Sequence, residues 1–371
     1  MISSKSNIKF LSILLITFMV IHSSSLFAQY DSEFEKLTIK DGLSSNDIWS
    51  IVQDQYGFLW IATKDGLNVY DGYNFKIYKN RSGDSTSLPT SDCNTVYEDS
   101  NHDIWVGTKV GLAKFNRDNE SFVNYQFSTI NSPQSNSVWK ILEDSKKNLW
   151  VATNDGALIF DKTTKGFLKF EIMRFDNSLG AFSTSATSIV ETNNGDLYVG
   201  STHFGLVKFD YSSRIFIQQK FNNSSTIIKA NQIFDIAEDK EGNLWLATIS
   251  GLFTVDLTNM TLKNFTPYKK LNWTENDLRN GVIGVYKDRY DNIWIGTSAH
   301  GIYVYKKAED EFQSIFTTSS VNYLGPFYED RFGIIWVCST QGLLKYDLDK
   351  KPFDLVTPSN VSDDESNPII Y

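Results

Sequence analysis

A short apolar phrase built around one aromatic residue occurs seven times along this chain, and its regular spacing constrains the fold more than any other feature. Gly57-Phe58-Leu59-Trp60-Ile61-Ala62-Thr63 is the fullest copy. It returns around Trp105, Trp150, Tyr198, Trp245, Trp294 and Trp336, for example as Ile104-Trp105-Val106-Gly107-Thr108 and Ile335-Trp336-Val337-Cys338-Ser339. The intervals between these anchors are 45, 45, 48, 47, 49 and 42 residues. Each copy reads as four short strands. The first is apolar and ends in an acidic residue, such as Ile48 to Asp54, and a Gly/Asn/Asp-rich turn follows. The second carries the anchor, and the third resembles Leu67-Asn68-Val69-Tyr70-Asp71. The fourth centres on Phe75, Phe122, Phe167, Phe216, Phe312 or Phe353. A four-stranded antiparallel unit at this period is a propeller blade. The expected fold is therefore all-β, a seven-bladed β-propeller over residues 29–358.

Alternation gives each blade two apolar faces, which only neighbouring blades can cover. The anchor fills the wedge between blades, and the Gly or Ala two residues later lets the next backbone approach. Six of nine tryptophans are explained as core in this way. The repeated strand-end aspartates are expected to bond turn amides rather than to act as catalytic carboxylates. Cys93 and Cys338 fall at small buried-type positions in different blades, which reads as two free core thiols.

The pattern Asn-x-Ile-x-x-Ile-x-x-Asp, then Gly-x-Leu-Trp-Ile-Ala-Thr-x-x-Gly-Leu-x-x-Tyr-Asp, is fullest at residues 46–71. It resembles the two-component regulator propeller repeat, with copies over roughly 34–356. That resemblance implies the periplasmic sensor region of a hybrid histidine kinase that detects oligosaccharides. It also implies company: a second propeller, an immunoglobulin-like stalk, a membrane helix and a kinase. None of these follows in this sequence, so a second propeller or a sensor kinase chain is the implied protein partner.

Lys5 and Lys9 precede an apolar run from Phe10 to Ile21 and a small residue at Ala28. Residues 1–28 read as a signal peptide cleaved after Ala28, which places the protein in the periplasm. Leu26 is not ideal for cleavage, and an uncleaved membrane anchor is the alternative. No cysteine closes the run, so lipidation is not expected. Residues 359–371 form a tail that reads either as a natural end or as the opening of a truncated further repeat. Phe34 to Leu37 resembles a fourth strand, which either closes the last blade in place of Phe353 to Val356 or pairs elsewhere.

Packing positions agree between repeats, whereas positions free for function differ. The position of Ile48 is uniformly core. The next one reads Trp49, Asn94, Trp139, Thr187, Phe234, Ile283 and Gly325, a diversity expected of residues facing the channel or its rim. The turns between second and third strands also vary, and share a face with the long loops 80–91, 171–184 and 266–280. On that face Trp49, Trp139 and Trp273 are the candidate stacking platforms. Lys64, Lys109, Arg174, His203, Arg279 and His300 are the candidate polar partners. Aromatic platforms suit sugars, whose ring faces present C–H groups. In the competing reading Trp49 and Trp139 fill the ring's centre and the two histidines pack loops.

The mature chain offers histidines only at 102, 203 and 300, and no motif for a metallohydrolase, serine hydrolase or redox dithiol. No catalytic residue, metal or cofactor is assigned, and a binding module is expected rather than an enzyme. A protein-interaction scaffold is the first alternative and a propeller lyase or hydrolase the second. The net charge of −9 argues against nucleic acid, whose recognition needs a basic surface.

Overall fold

Thr63 shows why the repeats fold as hairpins. Its hydroxyl donates to the Gly66 carbonyl at 2.9 Å and accepts from the Asp65 N–H at 3.1 Å, closing the turn after the second strand. Gly66 sits at φ +129°, where an added Cβ would meet the Tyr78 carbonyl at 2.8 Å, so the motif's glycine is required. Thr108, Thr153, Thr248, Thr297 and Ser339 bond the glycine carbonyl of their own turns in the same way.

A computed structural model describes residues 34–127, 136–222, 232–265, 281–307, 309–316 and 323–349. The expected signal peptide, the tail, Phe353, Trp273 and Arg279 lie outside the described residues. Seven sheets, antiparallel apart from one added pairing in blade four, form a seven-bladed propeller, with first strands at Ile48–Gln53, Cys93–Glu98, Val138–Glu143, Ala186–Glu191, Ile233–Glu238, Val282–Lys287 and Leu324–Glu329. These strands contact one another around the ring and line its centre. Second strands such as Leu59–Thr63 are buried at every residue, because neighbouring blades cover both of their faces.

The last blade is completed from the other end of the chain. Glu35–Leu37 pairs antiparallel with Leu343–Asp347, setting Leu37 against Leu343. Of the two sequence-level alternatives, the N-terminal strand therefore closes the ring. One expectation is corrected: the segment 171–184 is not simply a loop. Glu171–Met173 and Leu179–Ala181 form a hairpin that extends blade four to six strands, by parallel pairing of Ile172 with Phe216. The buried Ile172 and Phe182 supply the apolar reason, since both join the core shared by blades three and four.

Seven interfaces hold seven apolar clusters, each containing one anchor aromatic. Each anchor reaches the third strand of the next blade: Trp60 meets Phe115, Trp105 meets Phe160, and Trp150 meets Phe209 edge-on at 4.8 Å. Burial of such a ring is worth about 1.5–3 kcal/mol, with about 0.5–1.5 kcal/mol more from ring geometry. Close approach of the next backbone, expected at the small residue after each anchor, is seen at Gly296, whereas Gly107 and Gly200 make room for side chains, Val138 and Ile233 of the next blade among them. A Cβ on Gly296 would lie 1.9 Å from the Leu324 carbonyl of the next blade. Cys93 and Cys338 are free, and burial pushes both thiols up, which leaves them unreactive core residues.

A polar girdle on the face of the first turns adds register to this non-directional packing. The Gln55 N–H donates to Glu98, Ser100 to Glu143, Ser145 to Glu191, and Asn193 to Glu238, each acceptor belonging to the next blade. In blade six Lys287 occupies the Glu position, and Asp291 accepts from Lys240 instead. Arg289 donates to Glu329, and Arg331 completes the circle onto Gln53.

Candidate functional site

Every first strand slips register against its second strand near its start, in blade one between Ile48 and Ser50 and in blade seven between Leu324 and Phe327. The same bulge occurs in the other five blades. A bulge re-aims the extra side chain. The residues so displaced are Trp49, Asn94, Trp139, Thr187, Phe234 and Ile283, with Gly325 and Pro326 in blade seven. All eight line one cavity of about 400 Å³ in the channel mouth, joined by Lys140, Ser185, Thr202, Gln232, Asp235 and Tyr323. The variable position read from the repeats is thus a single surface. The cavity opens where first strands begin, on the face that carries the turns between second and third strands.

The wall is aromatic on several sides and sparingly polar. Trp139 is 41% exposed. Its indole N–H donates to Asn154 Oδ1 at 2.6 Å, and Ser185 Oγ donates to the same oxygen at 3.1 Å. Trp49 is half-buried, and its Nε1 is buried with no hydrogen-bond partner among the described residues. Asn94 donates to the Val138 carbonyl at 3.0 Å, and Thr187 spans the carbonyls of Gly200 and Ile233. Lys140 Nζ lies 3.7 Å from Asp235 Oδ1, and the Val285 N–H reaches Asp235 Oδ2 at 3.3 Å. Burial pushes the Asp235 carboxyl up, against the opposing pull of Lys140.

Of the residues singled out in the sequence, Trp49 and Trp139 are brought together here. The five described polar candidates are placed elsewhere. Lys64 pairs with Asp47 and Lys109 with Asp92, each at 3.6 Å on the exposed rim. Arg174 lies in the added hairpin, 5.8 Å over the Phe204 ring. His203 Nδ1 is within hydrogen-bond distance of Thr184 and Thr202, at 2.7 and 2.9 Å. His300 is buried in its turn, where its backbone N–H donates to Thr297 Oγ1 at 2.8 Å. None of these five lines the cavity. Sequence reading passed over Lys140 and Asp235, although a signal existed. One step further along the first strand the repeats read Ser50, Thr95, Lys140, Ser188, Asp235, Gly284 and Pro326, and two charges stand out in a row otherwise small or neutral.

A model of the two component regulator propeller matches residues 42–65, 87–109, 132–155 and 227–250, which are the opening hairpins of blades one, two, three and five. The chain carries the repeats of the two component regulator propeller family. It is 46% identical over 83 residues to histidine kinase P4 of Formosa agariphila, a stretch amounting to 22% of this chain and 6% of that protein. Among solved structures it is similar to the extracellular domain of a chain assigned to a hybrid two component system of B. thetaiotaomicron. The TM-score there is 0.68 at 25% identity, over 84% of this chain and 41% of that one. The chain thus spans less than half the length of either protein. Virginiamycin B lyase from Staphylococcus aureus shares the fold at TM-score 0.60 and 11% identity, over 84% of this chain and 98% of the lyase.

Proposed function

We propose that this propeller is the ligand-binding part of a periplasmic sensor, and that its channel mouth holds one end of an oligosaccharide. The observation that carries the reading is the convergence of the bulged residues: the positions that vary between repeats form one cavity walled by Trp49, Trp139 and Phe234. Its volume falls in the range of small-molecule sites. Similarity to the extracellular domain of a hybrid two component system supports the sensor role and the location outside the cytoplasm. Transmission across a membrane would fall to a partner chain or a further segment bearing a kinase. The role assigned to this chain is recognition and not catalysis.

The test is a thermal-shift screen of the protein against neutral oligosaccharides. A ligand at a hundredfold excess over its dissociation constant stabilises the fold by about 2.7 kcal/mol. Trp139→Ala should abolish that shift while leaving the unliganded protein folded. A shift that survives Trp139→Ala and Trp49→Ala together would place the ligand elsewhere.

A second reading rests on the opposite face. Tyr56, Tyr290 and Phe332 occupy equivalent turn positions in blades one, six and seven, which are consecutive around the ring, and all three are exposed. Such a patch suits a protein partner. Replacing all three with Ser should then abolish co-purification with that partner and leave oligosaccharide shifts intact.

A further inference from the structure

Among the described residues the cavity contains one cation and one anion, Lys140 and Asp235. They come from blades three and five, so they meet past the intervening first strand of blade four. Both occupy the position just beyond the bulge, where the other blades carry Ser, Thr, Gly or Pro. Asp235 is buried, whereas Lys140 remains partly open to the channel.

Neither group is well met by the protein. An ionised carboxylate can accept about four hydrogen bonds, and charge-assisted ones run at roughly 2.7–2.9 Å. Asp235 has the Val285 N–H at 3.3 Å, Lys140 at 3.7 Å and a weaker contact from the Ile236 N–H, none of them a short charge-assisted bond. The ammonium of Lys140 has three donors, and its contact with Asp235 is long. The two charges cancel at the level of the cavity while each retains bonding capacity toward it. An anionic ligand reaching Lys140 would also face Asp235, and a cationic ligand reaching Asp235 would face Lys140. A neutral group offering an acceptor beside a donor meets both without either penalty.

The geometry points to Lys140 and Asp235 as the specificity-determining pair of the cavity. They select an uncharged ligand with adjacent hydroxyls, one accepting from the Lys140 ammonium and one donating to the Asp235 carboxylate. This inference rests on the reading of the cavity as the ligand site. It adds a charge rule that the aromatic walls do not impose.

Two measurements separate the inference from that reading. In the first, thermal shifts of the wild-type protein are compared for neutral gluco- and xylo-oligosaccharides and for oligogalacturonates. Wild type should answer only to neutral sugars. Asp235→Asn, which leaves Lys140 without its counter-charge, should gain a shift with oligogalacturonates. Equal shifts for both classes in wild type, or an unchanged preference in Asp235→Asn, overturns the charge rule and leaves the binding reading standing.

The second needs no sugar. Trp139 is the exposed tryptophan of the described residues, and its fluorescence is the component lost in Trp139→Phe. Asp235→Asn should at least double the quenching of that component by iodide, and Lys140→Met should do the same for caesium. Quenching that ignores both substitutions overturns the inference whatever sugars do. The expected quenching pattern without any sugar response keeps the charge rule and removes the oligosaccharide reading.

Discussion

The indole N–H of Trp150 donates to Asp144 Oδ2 at 2.8 Å in the buried heart of blade three. The other oxygen of the same carboxylate accepts from the turn amides of Lys146 and Asn148, at 3.0 and 2.8 Å. Tyr211 of the next blade adds its hydroxyl to Oδ2 at 2.9 Å. One side chain therefore fixes the turn, orients the wedge residue and reaches the neighbouring blade. The pair recurs in six blades, as Asp54–Trp60, Asp99–Trp105, Asp239–Trp245, Asp288–Trp294 and Asp330–Trp336 besides this one. In blade four both partners change together, to Thr192 and Tyr198, and Thr192 bonds Asp196 of its own turn instead.

Asp144→Ala should cost about 3 kcal/mol or more, because it strands an indole N–H and two turn amides in a buried setting. Urea unfolding measures this directly. A loss under about 1 kcal/mol would mean that packing alone holds Trp150. Thr192→Ala removes only hydrogen bonds of its own turn, and should cost less.

Acid should weaken the ring through these carboxylates. Burial pushes Asp99, Asp144 and Asp239 up. The opposing bonds outweigh it in each case, from Lys162 and Trp105 for Asp99, Asn148 and Trp150 for Asp144, and Asn243 and Trp245 for Asp239, leaving all three below the usual range. A depressed folded-state pKa stabilises fully above the unfolded value, near pH 4, and that stabilisation disappears as pH falls through the folded value. The urea midpoint should therefore fall below about pH 4, and less steeply in Lys162→Met. Asp235 works in the opposite sense, since its raised carboxyl favours the fold as it protonates. A midpoint that holds level from pH 5 to 2 would rule this account out.

Gly296→Ala should destabilise the interface of blades six and seven by about 3 kcal/mol, beyond ordinary overpacking, since the new methyl meets a backbone carbonyl that cannot rotate away. Gly107→Ala meets side-chain atoms of Thr95 and Val138 and should cost less. A reversed order of the two melting temperatures would show that the blade-seven backbone yields.

Deleting residues up to Leu37 should unzip the last blade. The strand Glu35–Leu37 is the only partner of the outer edge of Leu343–Asp347 among the described residues, and Phe34 packs on Phe316 and Tyr346. Hydrogen exchange should show lost protection at residues 343–347 ahead of the blades one to five. Unchanged protection there would mean that another segment replaces the closing strand.

Trp139→Ala and Trp150→Ala should separate site from scaffold. Loss of the buried Trp150 should cost about 3–5 kcal/mol. Loss of the half-open Trp139 should cost about 1 kcal/mol or less in stability while removing the ligand response. Equal destabilisation would make Trp139 a packing residue.

Much of this was legible along the chain because a propeller repeats its physics. Seven copies share the same neighbours, so agreement at Ile48 or Trp60 marks packing and disagreement at Trp49 marks the channel. The aspartates could be read as turn-makers from their place before Gly and Asn. Their second task on the indole was hidden, because a six-residue separation says nothing about distance until the turn between is folded. Lys64 and Lys109 looked available in sequence, and pair on the rim because the turn folds back over the start of its own blade.

The sequence by itself determined the blade, the number of blades, the wedge residues and the ring of variable positions, since each depends on contacts within a repeat or with the next one. Only the tertiary structure decided that Glu35–Leu37 closes the circle, that blade four carries an added hairpin, and that Lys140 meets Asp235. Those contacts join residues with no fixed separation in the chain. They are set by the radius at which seven wedges close and by where each bulge points, quantities that no single repeat contains.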